Sequence, residues 1–288
     1  MDVFTDRQFG GNPLAVFPDS AGLTDAQMQD IAKEMNLSET TFVLPAKRTD
    51  CDVAVRIFTP RTELPFAGHP TIGTASVLLT DTARNEIALE EAVGRIPVTV
   101  SRNGDPPLLY MTVPAAEFGA VFENRAEFAA AIGIAETELL ADAPIQVVSS
   151  GVAHVYIPLA SAQAVDSCRL DLPKLLRAFG SHEPLAVFVT APTAESDRLY
   201  SRMFAPHTVG IAEDPATGSA SGPLGAYLLE HDLVRGDGRI DIVSEQGTKM
   251  RRQSFIHVSV EHKGKTISRL RVGGTVVPVL RGVLSLRA

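Results

Sequence analysis

The chain has 288 residues, 45% of them hydrophobic, with 34 acidic against 26 basic side chains and a formal net charge of −8. That charge excludes a nucleic-acid backbone as the expected partner, and the apolar residues never run long enough to span a bilayer. Only Cys51 and Cys168 carry thiols, far apart and outside any metal-ligand spacing, so no metal is expected and a reduced, cytoplasmic protein is the default reading. The N-terminus lacks the basic and apolar regions of a signal peptide, and the length suits two domains of ordinary size.

In chain order, Asp2-Val3-Phe4 and Leu14 to Phe17 read as strands around the turn signal Gly10-Gly11-Asn12-Pro13. Apolar residues at Met28, Ile31, Ala32 and Met35 predict a helix after a Thr24 or Asp25 cap. Thr41 to Leu44 and Val53 to Thr59 follow as strands, and Pro60 to Phe66 as a loop. Thr71 to Leu79 carries no charge, and a helix apolar all round is expected to be buried. Ile87 to Leu89, Ile96 to Val100 and Leu108 to Val113 read as strands, the last two joined across Asn103-Gly104. A helical run from Arg125 to Ile132 links the halves, and Gly273 to Leu286 returns as strands.

One stretch is written twice: Gly68-His69-Pro70-Thr71-Ile72-Gly73-Thr74-Ala75 and Glu213-Asp214-Pro215-Ala216-Thr217-Gly218-Ser219-Ala220. Proline favours the first helical position and Asp is a strong N-cap type, so each copy reads as a helix start with Asp214 or His69 at the cap. Free N–H groups and the helix dipole there favour an anion. Flanking echoes extend the repeat: Arg56 to Pro60 matches Arg202 to Pro206, Ile87 to Gly94 matches Ile240 to Gly247, and Asn12 to Phe17 more loosely matches Gly151 to Tyr156. The whole predicts a duplicated α+β domain, residues 1–118 and 119–288, with a C-terminal strand in 275–288 available to complete the first. A ligand site is expected in the cleft between the two helix ends, and the ligand is a small carboxylate-bearing molecule.

The polar candidates on or beside these loops are Asn12, Glu39, His69, Glu213, Asp214 and Ser219. Asp214 serves equally as a plain cap or as a ligand contact. His69 is a poor cap type, which favours a substrate role, and Ser219 leans the same way while Thr74 reads as structural. Gly73 and Gly218 are expected to let backbone approach a ligand or another helix. Glu39 is either a surface residue at a strand start or a carboxylate pressed into an apolar cleft, suited to exchanging a proton near neutral pH. Nucleophile elbows, dinucleotide and phosphate loops and metalloprotease motifs are absent from the sequence.

Asp2-Val3-Phe4-Thr5, Gly11 to Phe17, Ser38-Glu39-Thr40, Phe66-Ala67-Gly68-His69-Pro70 and Glu213 to Ala220 together resemble the PhzF family, isomerases typified by a phenazine-biosynthesis enzyme. The resemblance implies the diaminopimelate-epimerase-like fold, with two pseudo-symmetric α+β domains, each a curved, mostly antiparallel sheet around a central helix. It also implies a homodimer, no cofactor, and a first strand shortened by a late start. By the same resemblance Glu39 is the acid/base, His69 and Asp214 are its catalytic partners, and Asn12, Gly68, Gly73, Gly218 and Ser219 line the substrate pocket. The cysteine that epimerase relatives place in each motif is missing here. Aligning Thr41 to Val43 on Val187 to Val189 sets Leu185 opposite Glu39, so one half alone carries the acid/base. That favours a proton shift on one face of a substrate over two-base racemisation. A two-base epimerase and a non-catalytic binding protein are the alternatives on the same fold.

Overall fold

The computed structural model describes residues 1–208 and 211–286, and the chain divides into two compact units, Met1–Tyr110 with Gly274–Ala288, and Met111–Gly273. The first unit contains β1 (Asp2–Val3), β2 (Asn12–Phe17), α1 (Asp25–Met35), β3 (Glu39–Leu44), β4 (Val53–Phe58), β5 (Glu63–Leu64), α2 (Gly68–Leu79), β6 (Glu86–Glu91) and β7 (Gly94–Ser101), and ends within β8 (Leu108–Thr112). The second contains β9 (Glu117–Phe122), α3 (Arg125–Ala131), β10 (Ile145–Ser149), β11 (Ala153–Pro158), α4 (Ala162–Ser167), α5 (Leu172–Phe179), β12 (Ala186–Pro192), β13 (Arg198–Ala205), β14 (Ile211–Asp214), α6 (Gly218–Glu230), β15 (Arg239–Gln246) and β16 (Ser254–Lys263), and ends within β17 (Thr266–Gly274). The closing strand β18 (Val276–Val277) pairs with β1. The sequence set the boundary at 118, but β9 already belongs to the second unit, through its ladder with β10.

Both units follow one ladder. In the first, β1 and β2 are antiparallel, β2 and β3 parallel, β3 and β4 antiparallel, β4 and β6 parallel, and β6 and β7 antiparallel. In the second, β10 and β11, β11 and β12, β12 and β13, β13 and β15, and β15 and β16 repeat that series, sense for sense. The short β5 and β14 hang on β4 and β13 in the same way. Within its unit, α2 touches β1, β2 and β18 as well as β3 and β6, and α6 touches β10 and β11 as well as β15 and β16. A helix met by strands from well-separated places in one ladder requires that the sheet curve round it. Both helices are accordingly apolar on nearly every side and buried, Gly68 to Ala75 in α2 and Ala220 to Leu229 in α6 without a break.

The opposite face of each sheet carries amphipathic helices. Thr24 and Gln27 form a capping box on α1, Asn36 ends it in a left-handed conformation, and Met28, Ile31 and Ala32 pack on Phe42 and Phe58. In the second unit Phe128, Val165, Leu175 and Phe179 close over Val155, Ile157, Val187 and Val189. Each strand therefore sends alternate residues to a central helix and to an outer layer.

Strand pairing corrects the repeat read from the sequence. Arg56 and Arg202 are true counterparts, lying opposite Phe42 and Val189 respectively. Counting back along β3 and β12 from that anchor sets Glu39 against Ala186, one residue from the Leu185 expected. From the same anchor Leu64, opposite Ile57, is the counterpart of Asp214, opposite Met203. The duplicated segment is thus Glu63-Leu64-Pro65-Phe66-Ala67-Gly68-His69 against Glu213-Asp214-Pro215-Ala216-Thr217-Gly218-Ser219. The sequence match had paired His69 with Asp214 because Pro70 and Gly73 mimic Pro215 and Gly218 further along the chain. Burial of non-local strands, and not the local Pro-x-x-Gly pattern, fixes the register.

Candidate active site

The corrected repeat explains how each helix start is built. Arg56 Nε and Nη2 clamp both oxygens of Glu63 at 2.7 Å, and Arg202 clamps Glu213 in the same bidentate way at 2.8 Å. Each clamp fixes the short strand one residue before the Pro-x-x-Gly turn into its helix. The hydroxyl of Thr71 donates back to the Ala67 carbonyl at 2.8 Å, and that of its counterpart Ser221 to the Thr217 carbonyl at 2.9 Å. The helices start at Gly68 and Gly218, so their caps are Ala67 and Thr217. Neither Asp214 nor His69 caps a helix, and Pro70 and Pro215 are not first helical residues. His69 is the second residue of α2, and Ser219 is its counterpart in α6.

In the first unit the fold brings Glu39 and His69 together. Glu39 opens β3 in register with Leu14 of β2. Leu14 meets α2 at Gly73, and Thr41, two residues after Glu39, shares a 2.8 Å hydrogen bond with Thr74 of α2. Glu39 therefore faces the helix start, and Asn12, two residues before Leu14, lies on the same face of β2. Glu39 Oε2 and His69 Nε2 stand 3.1 Å apart, at 8% and 5% exposure. They touch without a hydrogen bond, and neither atom has another partner among the described residues. Leaving a buried polar atom unpaired costs about 1–3 kcal/mol. Two such atoms side by side leave hydrogen-bonding capacity unused.

In the second unit, Asp214 ends β14 at 7% exposure, and its Oδ2 accepts from Thr217 Oγ1 at 2.5 Å. Gln246 braces the turn: its Oε1 accepts from the Thr217 N–H at 3.1 Å, and its Nε2 donates to the Asp214 carbonyl at 2.7 Å and to Thr217 Oγ1 at 3.0 Å. Gly218 is buried and Ser219 half-buried at the helix start. Gly68 precedes His69 as the first residue of α2.

Gly73, expected to line the pocket, has a packing reason to be glycine. A Cβ there would lie 2.5 Å from Leu14 Cδ2 and 2.9 Å from Val3 Cγ2, so it lets α2 settle onto β1 and β2. Glu213, a polar candidate in the sequence, is spent on the Arg202 clamp. Glu91, Thr71 and Gln246 were missed. Setting Glu63 against Glu213 pairs Thr71 with Ser221, whereas Glu91 pairs with Gln246 only through the β4–β6 and β13–β15 ladders. Among the described residues no group of His, Cys, Asp and Glu is placed to hold a metal ion, and no helix is long and apolar enough to cross a membrane.

A duplicated α+β unit wound around a buried helix defines the racemase and epimerase class of fold. A probable proline racemase from Agrobacterium radiobacter shares it with a TM-score of 0.59 at 14% identity, covering 92% of this chain and 87% of its own. Residues 1–282 match the family model described as phenazine biosynthesis-like protein, and the chain belongs to that family. It is similar to the trans-2,3-dihydro-3-hydroxyanthranilate isomerase of Pseudomonas fluorescens, 37% identical over 99% of this chain and 98% of the relative. The structure of a PhzF-family phenazine biosynthesis protein from Bacillus anthracis superposes with a TM-score of 0.85 at 26% identity, covering 95% of this chain and 93% of its own.

Proposed function

We infer that the protein is a cofactor-independent isomerase that moves a proton between two carbons of a small carboxylate-bearing substrate, with Glu39 as acid and base. The observation that carries this reading is the buried Glu39–His69 contact, 3.1 Å between atoms that have no other partner among the described residues. The Glu39 carboxylate takes a proton from a carbon whose electrons pass into a conjugated π system. It returns that proton to another carbon of the same system, so one C–H bond breaks, one forms, and nothing leaves. His69 orients the substrate and holds charge as it develops. Asp214 and Ser219 of the second unit, with the N–H groups at Gly68 and Gly218, are proposed to serve the same substrate, and two copies of the chain to form a dimer. The name of the Pseudomonas fluorescens relative supplies the first substrate to try, trans-2,3-dihydro-3-hydroxyanthranilate.

The repeat favours this reading over two-base racemisation. The counterpart of Glu39 is Ala186 and that of His69 is Ser219, so the scaffold is two-fold and the proton carrier is not. The test is Glu39→Gln in deuterated buffer with that substrate. Turnover and deuterium incorporation should fall by about 10²–10⁴, the usual worth of a general acid–base group, while substrate binding persists. Undiminished deuterium incorporation in the variant overturns the assignment.

A further inference from the structure

Glu91 is the last residue of β6, is 4% exposed, and has no part in the proposed proton transfer. Its Oε1 lies 2.6 Å from Thr71 Oγ1, and its Oε2 has no partner among the described residues. Thr71 Oγ1 is at the same time 2.8 Å from the Ala67 carbonyl. A hydroxyl has one hydrogen, and a carbonyl and a carboxylate both only accept. The two contacts are satisfied together only when the carboxyl itself carries a proton.

The repeat supplies an independent argument. Val53 and Ala54 lie opposite Leu89 and Glu90, as their counterparts Leu199 and Tyr200 lie opposite Ser244 and Glu245. One residue on, Glu91 is the counterpart of Gln246. Gln246 is a permanently neutral amide that donates into the α6 start from the same place. Where one unit uses an amide for this bracing, the other uses a carboxyl with the same outline.

We propose that Glu91 is a positioning residue that works as a neutral acid: its O–H donates to Thr71, Thr71 donates on to the Ala67 carbonyl, and this relay holds the first turn of α2 so that His69 meets Glu39. Burial pushes the Glu91 carboxyl up to about 8, opposed in part by the Thr71 hydroxyl. The charged and titratable groups on the surrounding elements are engaged elsewhere. Arg95 of β7 lies opposite Glu90 and bonds the Asp50 carbonyl, Arg56 of β4 holds Glu63 and Asp25, and His69 of α2 meets Glu39. When the proton leaves, Thr71 must turn its hydrogen to the carboxylate, the Ala67 carbonyl loses that bond, and the His69 turn loosens. The site is thereby switched off reversibly on the alkaline side.

The functional half of this inference rests on the isomerase reading, so the test has arms with and without turnover. Infrared difference spectra between wild type and Glu91→Gln at neutral pH should show the C=O stretch of a protonated carboxylic acid, bleaching as the pH passes about 8. The His69 ring resonances should shift over the same range in wild type and not in Glu91→Gln. An ionised carboxylate band at neutral pH overturns the proposal, whatever the substrate proves to be. With trans-2,3-dihydro-3-hydroxyanthranilate, Glu91→Ala should lower kcat about tenfold to a hundredfold, the scale of a displaced catalytic group, with little change in KM. Glu91→Gln should recover most of that loss and lack the alkaline limb of the kcat profile; an alkaline limb unchanged in Glu91→Gln overturns the relay.

Discussion

The two helix starts share one plan and differ in what the plan carries. Both use an Arg–Glu clamp, a Pro-x-x-Gly turn and a hydroxyl returned to the cap carbonyl. In the first unit the second helical residue is His69 beside Glu39; in the second it is Ser219, where the counterpart of Glu39 is Ala186. The structural parts are present in both units because they hold the turn, whereas the Glu–His contact of the first unit has Ala186 and Ser219 at the counterpart positions of the second. The bracing differs too. Arg202 and Glu213 are 7% and 17% exposed, while Arg56 and Glu63 are 27% and 41% exposed.

The largest expected effect on stability follows from that difference. Arg202→Ala strands Glu213 and removes donors from the Val165 and Cys168 carbonyls, and should cost about 3–5 kcal/mol, as broken buried ion pairs do. Arg56→Ala loses two screened surface pairs, to Glu63 and Asp25, and should cost about 1 kcal/mol for each or less. Urea denaturation of the two variants measures both; equal losses break the comparison.

Next is the position where β2 carries Leu14 and its counterpart in β11 is His154, the residue opposite Ala186 as Leu14 is opposite Glu39. Complete burial lowers the His154 imidazole to about 4, only partly offset by its contact with the Val152 carbonyl. The unfolded imidazole titrates near 6.5, so between 6.5 and 4 the unfolded chain binds the proton and the folded one does not. Stability present above 6.5 is therefore lost as pH falls through that window, by at most about 3 kcal/mol. His154→Leu should remove this loss, so that its stability relative to wild type rises as the pH is lowered. A difference that stays constant with pH refutes it.

A smaller effect is expected at Gly225 of α6, whose counterpart in α2 is Ala75. A Cβ at Gly225 would lie 2.8 Å from both Val258 Cγ1 and Val260 Cγ2, two stiff side chains. Overpacking costs about 1–3 kcal/mol and the helix recovers up to about 1 kcal/mol from alanine, so Gly225→Ala should destabilise by about 1 kcal/mol. A raised unfolding midpoint would show that the second sheet gives way as the first does to Ala75.

The sequence by itself determined most of what local preference controls. The Thr24-capped helix, the strands around Phe42 and Phe58, the uncharged run of α2 and the presence of a duplication all follow from residue type and spacing, while the weight on Glu39 comes from the family resemblance. Only the tertiary structure decided which residues are counterparts, because register is set by strands paired far apart in sequence and by which face each buries. That pairing moved Asp214 from His69 to Leu64 and made Ala186 the counterpart of Glu39. It also exposed Glu91, whose isolation from charge and whose likeness to Gln246 exist only once β6 and β15 are in place.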